Sequence, residues 1–87
     1  MKKMQAVAAL AALAQDHRLD IYRLLVQAGA DGLPAGRIGE RLGLPSPTLS
    51  FHLAQLRHAG LVAFARRGRS LVYTAEFDAM TALIGFL

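Results

Sequence analysis

The sequence predicts a mainly α-helical domain with one two-stranded β-hairpin, its elements in the order α-α-α-α-β-β-α. Three observations carry that expectation. Apolar residues recur at helical spacing through the first 28 positions and again near the end. Glycines and prolines at positions 34, 43, 45, 47 and 60 cut the middle into two short segments joined by a tight turn. After Gly60 the pattern changes to two β-prone runs, Leu61 to Ala65 and Leu71 to Thr74, around a glycine-containing tip.

Each element has its own signals. In the first helix, about residues 3–14, Met4, Val7, Leu10, Ala11 and Ala14 fall at helical spacing with no Gly or Pro between them. Asp16 is the expected N-cap of a second helix, in which Ile21, Leu24, Leu25 and Ala28 form the apolar stripe and Gly29 the stop. Ala30-Asp31-Gly32 reads as a loop. Pro34 suits the first turn of a short third helix, with Ile38 and Leu42 inward and Gly43 ending it. Ser46-Pro47 reads as N-cap and first turn of a fourth helix that runs to Gly60. Two short helices joined this way are a helix-turn-helix, expected over about residues 34–60, and the hairpin at about 61–75 is its wing. A last helix from about Glu76 to Leu87 is apolar at Phe77, Met80, Leu83, Ile84, Phe86 and Leu87. The expected architecture is thus a single winged helix-turn-helix domain, residues 1–87.

Length and composition narrow the class. Eighty-seven residues make one small domain, and 54% hydrophobic against 18% charged residues rules out a disordered tail. Only 7% are aromatic and Trp is absent, so aliphatic residues and Ala must fill the core. There is no Cys, which removes disulfides and thiolate metal sites together, and leaves pairing of subunits as the expected support for a small core. The first and last helices carry more apolar surface than one such core absorbs. Met4, Val7, Leu10, Ala11, Met80, Leu83, Ile84 and Leu87 are the expected homodimer interface. The uncharged stretch Met4 to Gln15 is too short for a membrane span, which needs about 20 apolar residues. It runs into Gln15-Asp16-His17-Arg18 rather than a signal-peptide cleavage site, so a cytoplasmic protein without membrane partners is expected.

The net charge is only +4, but its distribution is uneven. Residues 41–75 contain Arg41, Arg57, Arg66, Arg67 and Arg69 and no acid, whereas the remainder holds the other five basic residues and all six acids. Arginine without lysine favours forked contacts to phosphate or guanine. Gly68 permits the turn, and Arg66, Arg67 and Arg69 at the tip suit backbone phosphates or the minor groove. On the fourth helix Leu49, Leu53 and Leu56 share a narrow sector and mark the buried edge. Pro47, Thr48, Phe51, Ala54, Gln55 and His58 lie opposite, with Ser50 and His52 on the flanks. A face of small or uncharged residues suits insertion into a major groove about 12 Å wide. Ser46, Thr48 and Ser50 suit phosphates or base edges, Gln55 has adenine's donor–acceptor pair, and an outward Phe51 suits a thymine methyl. The expected reader of double-stranded DNA therefore comprises Ser46, Pro47, Thr48, Ser50, Phe51, His52, Gln55, Arg57, Arg66, Arg67 and Arg69.

The runs Leu42-Gly43-Leu44-Pro45-Ser46-Pro47-Thr48-Leu49-Ser50-Phe51-His52-Leu53, Leu56-Arg57-His58-Ala59-Gly60-Leu61-Val62 and Arg67-Gly68-Arg69-Ser70, with Tyr73, resemble the ArsR/SmtB family. Ala14-Gln15-Asp16-His17-Arg18-Leu19 through Leu25 resembles that family's second helix, so the likeness spans nearly the whole chain. The resemblance implies a homodimeric repressor that leaves operator DNA when a metal or metalloid ion binds, and it places reading residues on Ser46, Thr48, Ser50, Phe51 and His52. Two-fold pairing implies an inverted-repeat operator. The sensing sites differ. Pro34 and Gly36 stand where many members carry a Cys-x-Cys pair, and the last helix offers Glu76 and Asp78 without His. Asp16, His17 and Asp20 read as a capped, solvated helix start, so no metal site is expected in this chain. The wording around Phe77, Met80 and Phe86-Leu87 resembles an arsenical-responsive branch with later cysteines, which implies trivalent arsenic bound by thiols beyond Leu87.

Other classes fit less well. A winged-helix module for protein–protein assembly would need an exposed apolar patch apart from the dimer face and salt-insensitive binding. Nothing resembles a nucleophile with its base, a carboxylate pair or a phosphate-cradling loop, so no enzyme is expected. RNA binding would call for several exposed stacking aromatics, of which only Phe51 qualifies.

Overall fold

A computed structural model describes all 87 residues. Five helices and a small antiparallel sheet run in the order α1 (Lys3–Leu13), α2 (Asp16–Ala28), β1 (Leu33–Pro34), α3 (Ala35–Leu42), α4 (Ser46–His58), β2 (Val62–Arg67), β3 (Ser70–Ala75) and α5 (Phe77–Phe86). A 3₁₀ turn at Gly29–Asp31 occupies what the sequence presents as an irregular loop.

Helix α1 packs through its smallest residues. Ala6, Ala9 and Ala12 are buried, while Met4, Val7 and Leu10 stand 82%, 56% and 43% exposed. An alanine face lets the helix lie close to the body and leaves its larger apolar residues outside. Helix α2 is capped one residue earlier than expected. The Gln15 side chain accepts from the Arg18 backbone N–H at 2.9 Å, and Asp16 becomes the first helical residue, beside the positive end of the dipole. Ile21, Tyr22 and Leu25 of α2 meet Ile38 of α3, Leu53 and Leu56 of α4, and Leu61 at the base of the wing to form the core. Helix α4 likewise starts one residue early, with Pro45 as its cap position and Pro47 in its first turn, where no helical N–H bond is lost.

The sheet has three strands in the order β1-β3-β2 rather than the two expected. Leu33 pairs with Tyr73 and Pro34 with Val72. A two-residue edge strand containing Pro gives no alternating pattern to read, and Pro at an edge leaves no ladder N–H unmade. Gly32, just before it, has φ +65°, and a side chain there would run into the Tyr73 carbonyl. In the hairpin Val62 to Arg67 pair with Ala75 to Ser70, so only Gly68 and Arg69 form the turn. Gly68 has φ 62° and no other residue type has positive φ, the type II′ pattern that matches strand twist. Arg66 and Arg67 are therefore strand residues rather than loop residues.

Candidate nucleic-acid interface

Helix α4 presents two unlike sides. Leu49, Leu53 and Leu56 are buried, as their shared sector predicts. On the other side Phe51 is 56% exposed, and Ser46, Pro47, Ser50, Gln55 and Arg57 are exposed, with Thr48 half-buried. The helix starts without a side-chain cap, so the first-turn N–H groups of Ser46 and Thr48 are left at the positive dipole end for an outside acceptor. Such an end is suited to phosphate.

His52 departs from the expected reading set. Its side chain is only 7% exposed and lies inside the domain. The Arg18 Nη1 lies 3.2 Å from its Nδ1, the His17 ring centroid is 5.5 Å away, and the Phe51 ring meets it edge-on at 5.3 Å. Burial, then the charge of Arg18, then His17, hold its pKa below the ordinary histidine value. His52 is thus a packed residue whose charged form is disfavoured, behind the exposed side chains of α4. The partner that internalises it lies far away in sequence, so helical periodicity alone does not place it.

The wing is braced against α4. The Arg57 guanidinium lies over the Phe64 ring, 5.0 Å from its centroid, and Phe64 packs on Tyr73 at 5.4 Å. Arg57 therefore joins the reading helix to strand β2, whatever else it touches. The Leu61 N–H bonds the Leu56 carbonyl at 3.0 Å and the Glu76 N–H bonds the Leu61 carbonyl at 2.8 Å, which fixes the base of the hairpin. Arg66, Arg67 and Arg69 remain exposed toward its tip.

An open groove of about 550 Å³ lies between α3 and α4, bordered by Gly36, Gly39, Gly43, Pro45, Ser46 and Ser50. Leu44, Leu49 and the carboxylate-bearing Glu40 also line it, so its α3 side carries the one negative charge beside the start of α4. Gly36 and Gly39 are not among the site residues that the sequence suggests; their spacing, which places them with Gly43 along one side of α3, is the signal that points to this wall.

Away from this surface, Met4, Val7, Leu10, Ala11, Ile84 and Leu87 are exposed on α1 and at the end of the chain. Two residues expected beside them are not. Leu83 is 2% exposed and belongs to this subunit's own core, and Met80 is half-buried against it. A helix apolar on all sides does not reveal which side turns inward. No group of three His, Asp or Glu side chains comes together to hold a metal ion. With no Cys in the sequence, residues 1–87 do not fit trivalent arsenic. No helix is long and apolar enough to cross a membrane.

Comparison with known proteins agrees with this geometry. The helix-turn-helix domain family matches residues 13–63. The HTH-type transcriptional regulator YgaV of Escherichia coli (strain K12) is 34% identical over 83 residues, covering 95% of this chain and 82% of that protein. An ArsR-like transcriptional regulator from Rhodococcus sp. RHA1 superposes with a TM-score of 0.85 at 25% identity, over 97% of this chain and 76% of that one. The homodimeric winged helix-turn-helix DNA-binding domain of Mb0332 from Mycobacterium bovis, a possible ArsR-family regulator, superposes with a TM-score of 0.80 at 28% identity, over 94% of this chain and 74% of that one. These relatives are transcriptional regulators, not enzymes.

Proposed function

The chain belongs to the helix-turn-helix transcriptional regulators, and we propose that it is an ArsR-type winged-helix repressor in which two copies pair through α1 and α5 to read an inverted-repeat operator. The observation that carries this reading is α4 itself, whose Leu49, Leu53 and Leu56 are buried while Phe51, Ser50 and Gln55 stand outward. A two-fold dimer sets its two reading helices about 34 Å apart, one turn of DNA. Ser46, Thr48, Ser50, Phe51 and Gln55 supply sequence discrimination. Arg66, Arg67 and Arg69 supply phosphate affinity that does not depend on sequence.

Release follows only from a ligand that binds the DNA-competent and incompetent dimers unequally. Trivalent arsenic acting as inducer would rest on thiols outside residues 1–87. A mobility-shift titration against the protein's own promoter DNA tests the reading, with zinc and with arsenite added in separate lanes. A retarded complex is expected that disappears when either half-site is scrambled, and the 87-residue chain should stay bound in arsenite. Binding that ignores sequence, or no binding at all, would overturn it. A promoter reporter gives the sign of the effect: loss of the protein should raise expression, and a fall would make it an activator.

A further inference from the structure

Arg18 differs from the arginines of the wing in where it sits and what it holds. It lies half-buried in the first turn of α2, with its own backbone N–H bonded to the Gln15 side chain at 2.9 Å. Its Nε donates to the Ala12 carbonyl at 2.7 Å, among the last carbonyls of α1 that no helical N–H can reach. Its Nη1 lies 3.2 Å from Nδ1 of His52, in the middle of α4. One planar guanidinium thus spans the end of α1, the start of α2 and the reading helix, a task that suits a rigid fork and not a single ammonium.

A guanidinium has donors only, so His52 must meet it with a lone pair on Nδ1 and carry its proton on Nε2. His52 follows Ser50 and Phe51 directly and precedes Gln55 by one turn, and its side chain is buried where theirs are exposed. The contact therefore lies behind the side chains that face DNA. Its other end is on the helix that exposes Met4, Val7 and Leu10.

We propose that Arg18 is a positioning residue for DNA reading, fixing the rotation of α4 against α1 through a neutral His52 without touching DNA. The proposal rests on the DNA-binding function given above. The charged and titratable groups against His52 are Arg18 and His17, both from α2, with Phe51 beside it on α4. Protonating His52 removes the acceptor and sets a second cation against Arg18. Burial, Arg18 and His17 all resist that step, so it occurs below the ordinary value of 6.5. Added positive charge in general favours a polyanion. A loss of specific binding on acidification would run against that general trend.

The test compares the operator duplex with a scrambled duplex of equal length, using the 87-residue chain. Arg18→Ala should lower the ratio of specific to scrambled affinity about tenfold, with the salt slope on scrambled DNA unchanged. Arg18→Lys should not restore it. His52→Asn keeps an acceptor at the δ position and cannot titrate. It should keep most of the preference at pH 7.5 and abolish the loss of preference that wild type shows below about pH 6.5. An unchanged ratio in Arg18→Ala would overturn the proposal. So would equal losses on both duplexes with a salt slope shallower by about one, which would make Arg18 a phosphate ligand. If Arg18→Ala does not fold, the pH profiles of wild type and His52→Asn decide alone, and identical profiles reject the proposal. A wild type that cannot tell the duplexes apart defeats the DNA-reading function and this inference with it. A discriminating wild type matched by Arg18→Ala in its preference and by His52→Asn in its pH profile defeats only the inference.

Discussion

The outer sides of α1 and α5 and the outer sides of α4 and the wing are both left unsatisfied by one copy of this chain, but in opposite chemical senses. Met4, Val7, Leu10, Ile84 and Leu87 hold apolar surface in water, which costs about 25 cal/mol for every Å² left uncovered. Arg66, Arg67 and Arg69 hold charge with no acid between Glu40 and Glu76 in the sequence to answer it. The first surface is completed by something apolar of matching shape, for which a second copy suffices. The second is completed by a polyanion. Exposure is the same in the two places, and the missing partner is what separates pairing from recognition.

Breaking the apolar side should have the largest effect. Val7→Asp or Ile84→Asp puts a carboxylate into the expected pairing surface while leaving the buried Ala6, Ala9 and Ala12 in place. Sedimentation should then report monomers. Operator affinity should fall by about a hundredfold or more, because the second half-site no longer binds as part of the same molecule. A variant that stays dimeric and keeps its affinity would mean that pairing uses some other surface.

Neutralising the charged side should weaken binding differently. Arg67→Ala and Arg69→Ala should reduce affinity for operator and scrambled DNA alike. For each phosphate that no longer meets an arginine, the slope of log K against log salt should flatten by about one. Unaltered slopes would remove the wing from the phosphate backbone. Phe51→Ala is a finer probe of the same region. Discrimination at one thymine should drop by about 1 kcal/mol, with little change in melting temperature because the ring is already 56% exposed. A large stability loss instead would assign Phe51 to packing within the domain.

These two regions are not equally legible in the sequence. Leu49, Leu53 and Leu56 differ sharply in polarity from their neighbours, so spacing alone finds the buried side of α4. Gly68 between β-prone runs gives the hairpin. Helix α1 is harder, since alanine suits a core and a surface equally. The stripe drawn through Met4, Val7 and Leu10 marks the side that stays outside, while Ala6, Ala9 and Ala12 pack inward. Leu83 and Ile84 are adjacent and equally apolar, yet one is 2% and the other 66% exposed. Only tertiary packing tells them apart. His52 is hidden for another reason: a polar residue on a helix flank reads as exposed until a donor such as Arg18, 34 positions away, meets it inside. Strand β1 is two residues long and includes Pro34, too short for any periodicity.

The smallest effect belongs to neither surface and serves as their control. Tyr22 is 5% exposed in the core, and its hydroxyl has no hydrogen-bond partner there. Burial without a partner pushes its pKa above the ordinary tyrosine value, since the anion would be still less well accommodated than the neutral phenol. Tyr22→Phe removes the unanswered hydroxyl and keeps the ring that fills the space. Stability should hold or rise, by up to about 1 kcal/mol, which a domain of this size registers as roughly 4–8 °C in Tm. Operator affinity, salt slope and dimerisation should all stay at wild-type values. A clear fall in Tm would mean that the hydroxyl is bonded after all, through an internal water held within the core beside α2.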